Sequence, residues 1–373
     1  MFLVILSLVL IQERWCSMNN YKYIPFLKLK SNEVSALSKL DKEFKEVLTP
    51  FFDVPTKKDL TAEKLAACIE KAAKKLTRYL GDFPTFYLDN FDIADHLRID
   101  GVDNYRYLID KFKDLTFIPV VAPDRTVERN SMVFDLKKTG EIKSSTIAVR
   151  LQPEDFVHYG LVRKQILEFL NDGKGFYNKW VLIFDNRVCS GCDAGVRSLQ
   201  IASFIDIAKK DFNFLPVITG SSIPSSIADV LKVGKEIDLP RAELDIWRKT
   251  VANCEAEIIF GDYTIVSPNY SDIDMRPEAM RNITVPKIVY THGDIHFVMR
   301  GDGSLKIHPR SDRQYNDLAA KLIKKLFYRG PPFSWGDSYI FEKGSDDTGV
   351  KVTPGTILGP TINTHIIYMI KSV

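Results

Sequence analysis

The sequence is short of the features that would settle its class at once. Cysteine is sparse: Cys16, Cys68, Cys189, Cys192 and Cys254 are spread over 373 residues. An odd, scattered set in a chain this long argues against a disulfide-stapled scaffold. Cys189-Ser-Gly-Cys192 has zinc or thioredoxin spacing, but no second cysteine pair completes a four-ligand set, so it reads first as structural cysteines. No His-x-His follows the first strand candidate, which disfavours a zinc amidohydrolase-like site. No glycine-rich turn follows it either; Lys28-Leu29-Lys30-Ser31-Asn32 stands where a dinucleotide fold would need one. The sixth strand candidate, Trp180 to Asp185, carries no lysine for a Schiff base. No pair of glutamates closes the strands, which weakens a glycosidase reading. Net charge is only +3 without clustered basic excess, so nucleic acid is not indicated as a partner.

Long apolar runs are also missing. Phe2 to Ile11 is apolar but falls short of the roughly 20 residues a spanning helix needs. It lacks the basic start and small-residue cleavage site of a secretory signal. Residues 1–17 are therefore read as an apolar leader or upstream-start extension ahead of Met18, with no membrane partner. The remainder reads as cytoplasmic.

What is present is a regular alternation of strand and helix signals. Strand candidates begin at Tyr23, Thr49, Pro84, Phe117, Thr146, Trp180, Phe214 and Glu257, recurring every roughly 30 to 35 residues, the size of a βα unit. Helical patterns separate them; Thr61 to Tyr79 is amphipathic and lysine-rich. This spacing predicts an α/β fold, a (β/α)8 TIM-type barrel over residues 18–262, ahead of an open doubly wound sheet. Pro286 to Arg300 alternates about Gly293-Asp294 and predicts a β-hairpin inserted within residues 263–310. Over 311–373 a closing helix is expected at Arg313 to Tyr328. Accessory C-terminal strands are expected at Ser338 to Phe341 and Thr364 to Ile370.

Four apolar runs end on a polar residue: Phe51-Phe52-Asp53, Phe86-Tyr87-Leu88-Asp89-Asn90, Val181-Leu182-Ile183-Phe184-Asp185-Asn186 and Ile258-Ile259-Phe260-Gly261-Asp262. A buried parallel strand reads as a continuous apolar run, and its polar end marks where it emerges. Emergence on aspartate predicts a carboxylate-bearing C-terminal rim, where barrels of this type hold their sites. Asp53, Asp89 and Asp185 are the candidate catalytic residues, as general acid or base or as ligands of magnesium. The bland reading is that they pair with lysine and arginine or cap the helices that follow. Lys28 and Lys30, two apart on the first strand, would share a face and attract an anion. Arg150 ends the fifth strand and suits an anion clamp. Asn90, Asn186, Arg187 and Asp262 complete the candidate ligand-binding set.

Some of the wording is familiar. Tyr23-Ile24-Pro25-Phe26-Leu27-Lys28-Leu29-Lys30-Ser31-Asn32-Glu33 with Thr49-Pro50-Phe51-Phe52-Asp53-Val54-Pro55 resembles the Beta protein family, named for a T-even phage protein. Ser334-Trp335-Gly336-Asp337-Ser338-Tyr339-Ile340 and Asn363-Thr364-His365-Ile366 resemble its C-terminal signature. The resemblance implies a phage or bacterial mobile-element setting, often beside defence genes, and brings no catalytic residues with it. Two functions stand open. One is a rim site for a phosphorylated or nucleotide-like anion, with magnesium-dependent hydrolysis. The other is a non-catalytic scaffold whose hairpin docks a partner protein from the same locus, such as a toxin, nuclease or phage factor.

Overall fold

The computed structural model describes residues 22–80, 83–269, 276–346, 349 and 351–373, so the leader at 1–17 lies outside the described residues. In chain order the first half runs β1 (Tyr23–Lys28), α1 (Ser31–Ser38), α2 (Lys42–Glu46), β2 (Phe51–Asp53), α3 (Ala62–Leu80), β3 (Phe86–Asp89), α4 (Asn104–Phe112), β4 (Phe117–Val121), α5 (Val127–Lys138), β5 (Thr146–Leu151) and α6 (Arg163–Asp172). There follow β6 (Lys179–Val188), α7 (Ala194–Ala208), β7 (Leu215–Ser221), β8 (Glu236–Pro240), α8 (Ala242–Ala252), β9 (Ile259–Asp262) and α9 (Pro277–Ile283). The chain ends with β10 (Lys287–His292), β11 (Ile295–Arg300), α10 (Gln314–Leu322), α11 (Trp335–Ser345) and α12 (Pro354–Ser372). Eight strands close a parallel barrel in the order β1-β2-β3-β4-β5-β6-β7-β9, as the repeat spacing predicts.

Strand side chains alternate between two cores. Phe26, Phe51, Tyr87, Val120, Ile183 and Val217 fill the barrel interior. Their neighbours Leu27, Phe52, Leu88, Val121 and Phe184 face the surrounding helices. Inside, Phe26 stacks on Phe51 at 4.3 Å and Phe51 on Tyr87 at 5.5 Å. Each such pair is worth about 0.5–1.5 kcal/mol beyond its buried area. Outside, α3 lays Leu65, Ile69 and Leu76 on the barrel and turns Lys64, Lys71 and Lys75 to solvent. Asp103, Thr126 and Asp193 cap α4, α5 and α7, each accepting from backbone N–H groups of the first turn.

The hairpin forms where alternation predicts it, β10 against β11, with Gly293 at φ +49° in its two-residue turn. It is not alone. β8, inside a stretch that reads as broken helix, pairs antiparallel with β11 and makes a three-stranded sheet. The expected accessory strands at 338–341 and 364–370 are not strands: they lie within α11 and α12. Thr353 and Thr356 form a capping box that starts α12. Most of that helix is buried, Ile357, Ile362, His365, Ile366 and Ile370 included. A helix buried on most sides loses the 3.6-residue polar stripe, and a β-branched run then imitates a strand.

Candidate functional site

The inward-facing series of five of the eight barrel strands ends on charge. Two residues beyond Phe26, Phe51, Tyr87, Ala148 and Ile183 stand Lys28, Asp53, Asp89, Arg150 and Asp185. Arg150 is fully buried and lies at the centre. Its Nη1 donates to Asp53 Oδ1 and to Asp89 Oδ2, both at 2.8 Å. Its Nη2 donates to Asp185 Oδ2 at 2.8 Å and to the Tyr263 hydroxyl at 2.8 Å, and its Nε to Asp185 Oδ2 at 3.0 Å. Every nitrogen of one guanidinium is thus spent on the rim carboxylates. Burial alone would raise the Asp53 pKa, but the charges of Arg150 and Lys28 outweigh it and hold the carboxyl well below the usual range.

A second tier covers the first. Phe91, in the β3–α4 loop, stacks under three guanidiniums, with Arg150 and Arg187 at 4.5 Å from its ring centre and Arg125 at 5.1 Å. Arg125 Nη2 reaches Asp89 at 3.2 Å, and Arg129 lies on Asp89, Asn90 and Asp95. Asp92 bridges Lys28 at 2.6 Å and Arg187 at 2.9 Å. Arg187 adopts φ +50°, a conformation a non-glycine residue holds only at a cost. Charges of the two signs are matched throughout, yet Arg125 Nη1 and Arg187 Nη1 are buried with no hydrogen-bond acceptor among the described residues. So is Gln152 Nε2, just past the end of β5.

The structure therefore brings Lys28, Asp53, Asp89, Asp185, Arg150 and Arg187 together. It does not bring in Lys30. Lys30 N donates to Lys28 O at 2.7 Å, closing a tight turn that ends the strand alternation. Lys30 instead lines a separate cavity of about 470 Å³ between α1 and α3. Asn90 and Asn186 point away from the barrel axis: Asn90 bonds Asn104 and Arg129, and Asn186 Nδ2 donates to Thr219 O at 3.0 Å. Arg125, Arg129, Phe91, Asp92 and Tyr263 were missed as site residues. Arg125 and Arg129 sit in a loop and a helix that carry no strand-end pattern. Among the described residues no group of three or more His, Cys, Asp or Glu is placed to hold a metal ion. The inward rim aspartates converge on the Arg150 guanidinium.

Asp262 belongs to a different network, on the outer face of the barrel. It accepts from Tyr23, from Arg241 Nη2 at 2.8 Å and from Thr264 N at 2.8 Å, and His365 Nε2 lies at 3.1 Å. Arg241 Nε also donates to Glu243, which accepts from Ser222 at 2.6 Å. The Thr291 hydroxyl lies between His296 Nδ1 and His365 Nδ1. Burial and the Arg241 charge push the His296 pKa down to about 4, against a carboxylate, Glu243, that pulls the other way.

A profile of the Beta protein family matches residues 23–371. The chain belongs to the Beta protein family. No curated protein and no solved structure matches it. The Beta protein resemblance in the C-terminal segment rests on residues that clasp elements together. Ser334 caps α11, and the buried Asp337 accepts from Ser334, from Thr364 and from Tyr290 at 2.6 Å. Asn363 accepts from Gly336 N at 3.1 Å and donates to Ala36 O at 2.9 Å. His365 carries the clasp to Asp262 and so to the barrel. Among the described residues no helix is long and apolar enough to cross a membrane.

The histidine network gives this Beta protein an acid sensitivity with a definite window. A neutral buried His296 must gain its proton on unfolding at pH values between about 6.5 and 4, so stability falls as pH drops through that range. The full effect is about 3 kcal/mol. His292, lowered by burial, adds in the same direction. Below about pH 4 the depressed carboxyls Asp53, Asp262 and Glu243 join the loss. Urea midpoints measured from pH 7.5 to 4.5 are expected to fall, and His296→Gln is expected to flatten most of that slope. An unchanged slope in the variant would remove His296 from the account.

Proposed function

We propose that the barrel mouth of this Beta protein binds a phosphate-bearing anion, in a phage-borne or anti-phage defence setting. The carrying observation is the pair of buried, acceptor-less guanidinium nitrogens, Arg125 Nη1 and Arg187 Nη1, held against the same Phe91 ring. A buried donor without an acceptor costs about 1–3 kcal/mol, which an incoming phosphate oxygen recovers. In this reading Asp53, Asp89 and Asp185 aim and fix the arginines. They are not the acid, base or magnesium ligands, because their inward oxygens are already taken by Arg150. The reading is thus of binding without hydrolysis. The cavity described beside this layer, lined by Lys28, Glu33, Tyr263 and Thr264, is only about 10 Å³. The phosphate accordingly sits on the outer tier, at Arg125 and Arg187, rather than inside the barrel. The scaffold alternative calls for rim carboxylates locked in salt bridges and an apolar hairpin face open to a partner; the carboxylates are so locked, whereas the central residues of β10 and β11 are buried.

The variants Arg125→Ala and Arg187→Ala test this cleanly. Asp89 keeps Arg129 and Arg150 in the first, and Asp92 keeps Lys28 in the second. Inorganic phosphate, pyrophosphate and nucleotides are expected to raise the unfolding temperature, by an amount set by ligand concentration over Kd. Either variant is expected to abolish the rise, and added magnesium is expected to leave it unchanged. No rise with any of these, or a rise that survives both variants, would refute the proposal.

A further inference from the structure

Cys189-Ser-Gly-Cys192 lies between β6 and α7, and the site described above makes no use of it. Gly191, at φ +90°, turns the chain there, and the turn places Cys192 N at 3.1 Å from Cys189 O. The two thiols lie close enough for each to shift the other's proton affinity. Cys189 is only 3% exposed, and its Sγ lies 3.5 Å from Ser221 O. A Cβ on Gly220 would come within 3.1 Å of that sulfur, so the glycine keeps room for it. Cys192 is half-buried and immediately precedes Asp193, the residue that caps α7. Arg197, about one turn into that helix, has a buried Nη1 without an acceptor among the described residues. One sulfur is thus reachable from solvent, with its partner fixed directly behind it, at the start of a helix and beside a guanidinium.

We propose that Cys189 and Cys192 form a reversible dithiol–disulfide site that exchanges with low-molecular-weight disulfides. The Cys192 thiolate attacks one sulfur of the small disulfide. A bond forms between Cys192 and that sulfur, and the other half leaves as a thiolate. Cys189 then gives its proton to the departing thiolate and attacks Cys192 Sγ. The Cys189–Cys192 bond forms as the bond to the small thiol breaks. Two protein thiols are oxidised and one small disulfide is reduced to two thiols.

The division of roles follows from the surroundings. The neighbouring Cys189 thiol and the charge of Arg197 bring the Cys192 pKa down to about 7, against the opposing effects of burial and Asp193. The adjacent Cys192, burial and Glu243 push the Cys189 thiol up. Near neutral pH the attacking thiolate is therefore the accessible one, and the buried thiol keeps its proton until the second step. Cys68 and Cys254, far from this turn in the sequence, supply the internal comparison.

The test uses the full chain with oxidised glutathione as the probe. The protein is incubated, free thiols are blocked with iodoacetamide, and peptides are mapped by mass spectrometry. The peptide holding residues 189–192 is expected to lose the mass of two hydrogen atoms and to escape alkylation, with both changes reversed by dithiothreitol. Cys189→Ser is expected to trap glutathione on Cys192, whereas Cys192→Ser leaves Cys189 without an adduct. If Cys189→Ser does not fold, the wild-type mapping alone decides. Alkylation of both Cys189 and Cys192 after oxidation, with glutathione found only on Cys68 or Cys254, would overturn the proposal.

Discussion

Arg150→Met is expected to destabilise the protein by about 3–5 kcal/mol, the cost of leaving buried charge without its partner. The guanidinium holds three carboxylates at 2.8 Å in a layer that solvent does not reach. After its removal Asp89 still has Arg125 and Arg129, and Asp53 has Lys28 at 3.7 Å. Asp185 is left with the Tyr263 hydroxyl at 2.6 Å and the Arg187 backbone N–H at 2.9 Å. Arg150→Lys is expected to do little better, because one ammonium cannot span three carboxylates as a planar fork does. The sign of the pH dependence separates this mechanism from a simple packing loss. In Arg150→Met the stranded carboxylates lose the charge that favours their ionised form, so the stability gap between variant and wild type is expected to narrow as pH falls from 7 toward 5. Both proteins keep His296 and lose stability over that range for the reason given above, so the difference between them is the quantity to read. Urea unfolding followed by circular dichroism measures both. A loss under about 1 kcal/mol, or a stability gap that does not narrow on acidification, would refute a keystone role for Arg150. Adding Asp53→Asn and Asp185→Asn to Arg150→Met is expected to recover part of the loss, since the cost lies in the unpaired carboxylates.

Gly336→Ala is expected to cost at least about 3 kcal/mol by overpacking a helix contact. A Cβ at Gly336 would stand 2.9 Å from the Pro360 carbonyl carbon and 3.0 Å from Thr364 N, and would overlap the Pro360 oxygen. All three atoms are backbone, so no side-chain rotation relieves the overlap and α11 must move away from α12. That movement breaks the Gly336–Asn363 bond and the grip of Thr364 on Asp337, and through Asn363 it loosens the hold on α1. Gly355→Ala, in the first turn of α12, is the matched control. Its nearest neighbour would be Thr353 Oγ1 at 3.9 Å, so a change within about 0.5 kcal/mol is expected. Equal urea midpoints for the two variants would show that the close approach of α11 and α12 carries no energetic weight. The familiar Ser334-Trp335-Gly336-Asp337 wording is, on this account, a packing requirement rather than a chemical one.

The barrel is legible in the chain alone. Strand identity depends on short apolar runs, and strand ends depend on where charge first appears, and both are local. The eight strands and the positions of Asp53, Asp89, Asp185 and Asp262 could therefore be read directly. What those aspartates face depends instead on how the closed barrel packs. Side-chain direction followed the alternation through Lys28 but failed at Lys30, where a hydrogen bond across one residue closes a turn. Asp262 has the same strand-end signature as Asp53, yet it faces outward to Arg241 and His365, because it lies one step out of phase with the interior series of Ile259 and Tyr263. The C-terminal helices were misread as strands because burial on most sides removes the polar stripe that marks a helix. The partners of the rim came from Arg125 and Arg129, distant in sequence and without a strand-end pattern of their own. Closure of the barrel is what sets Arg150 within 2.8 Å of three aspartates. A charge pattern along one chain states which groups emerge, and only closure in three dimensions states which of them neutralise one another.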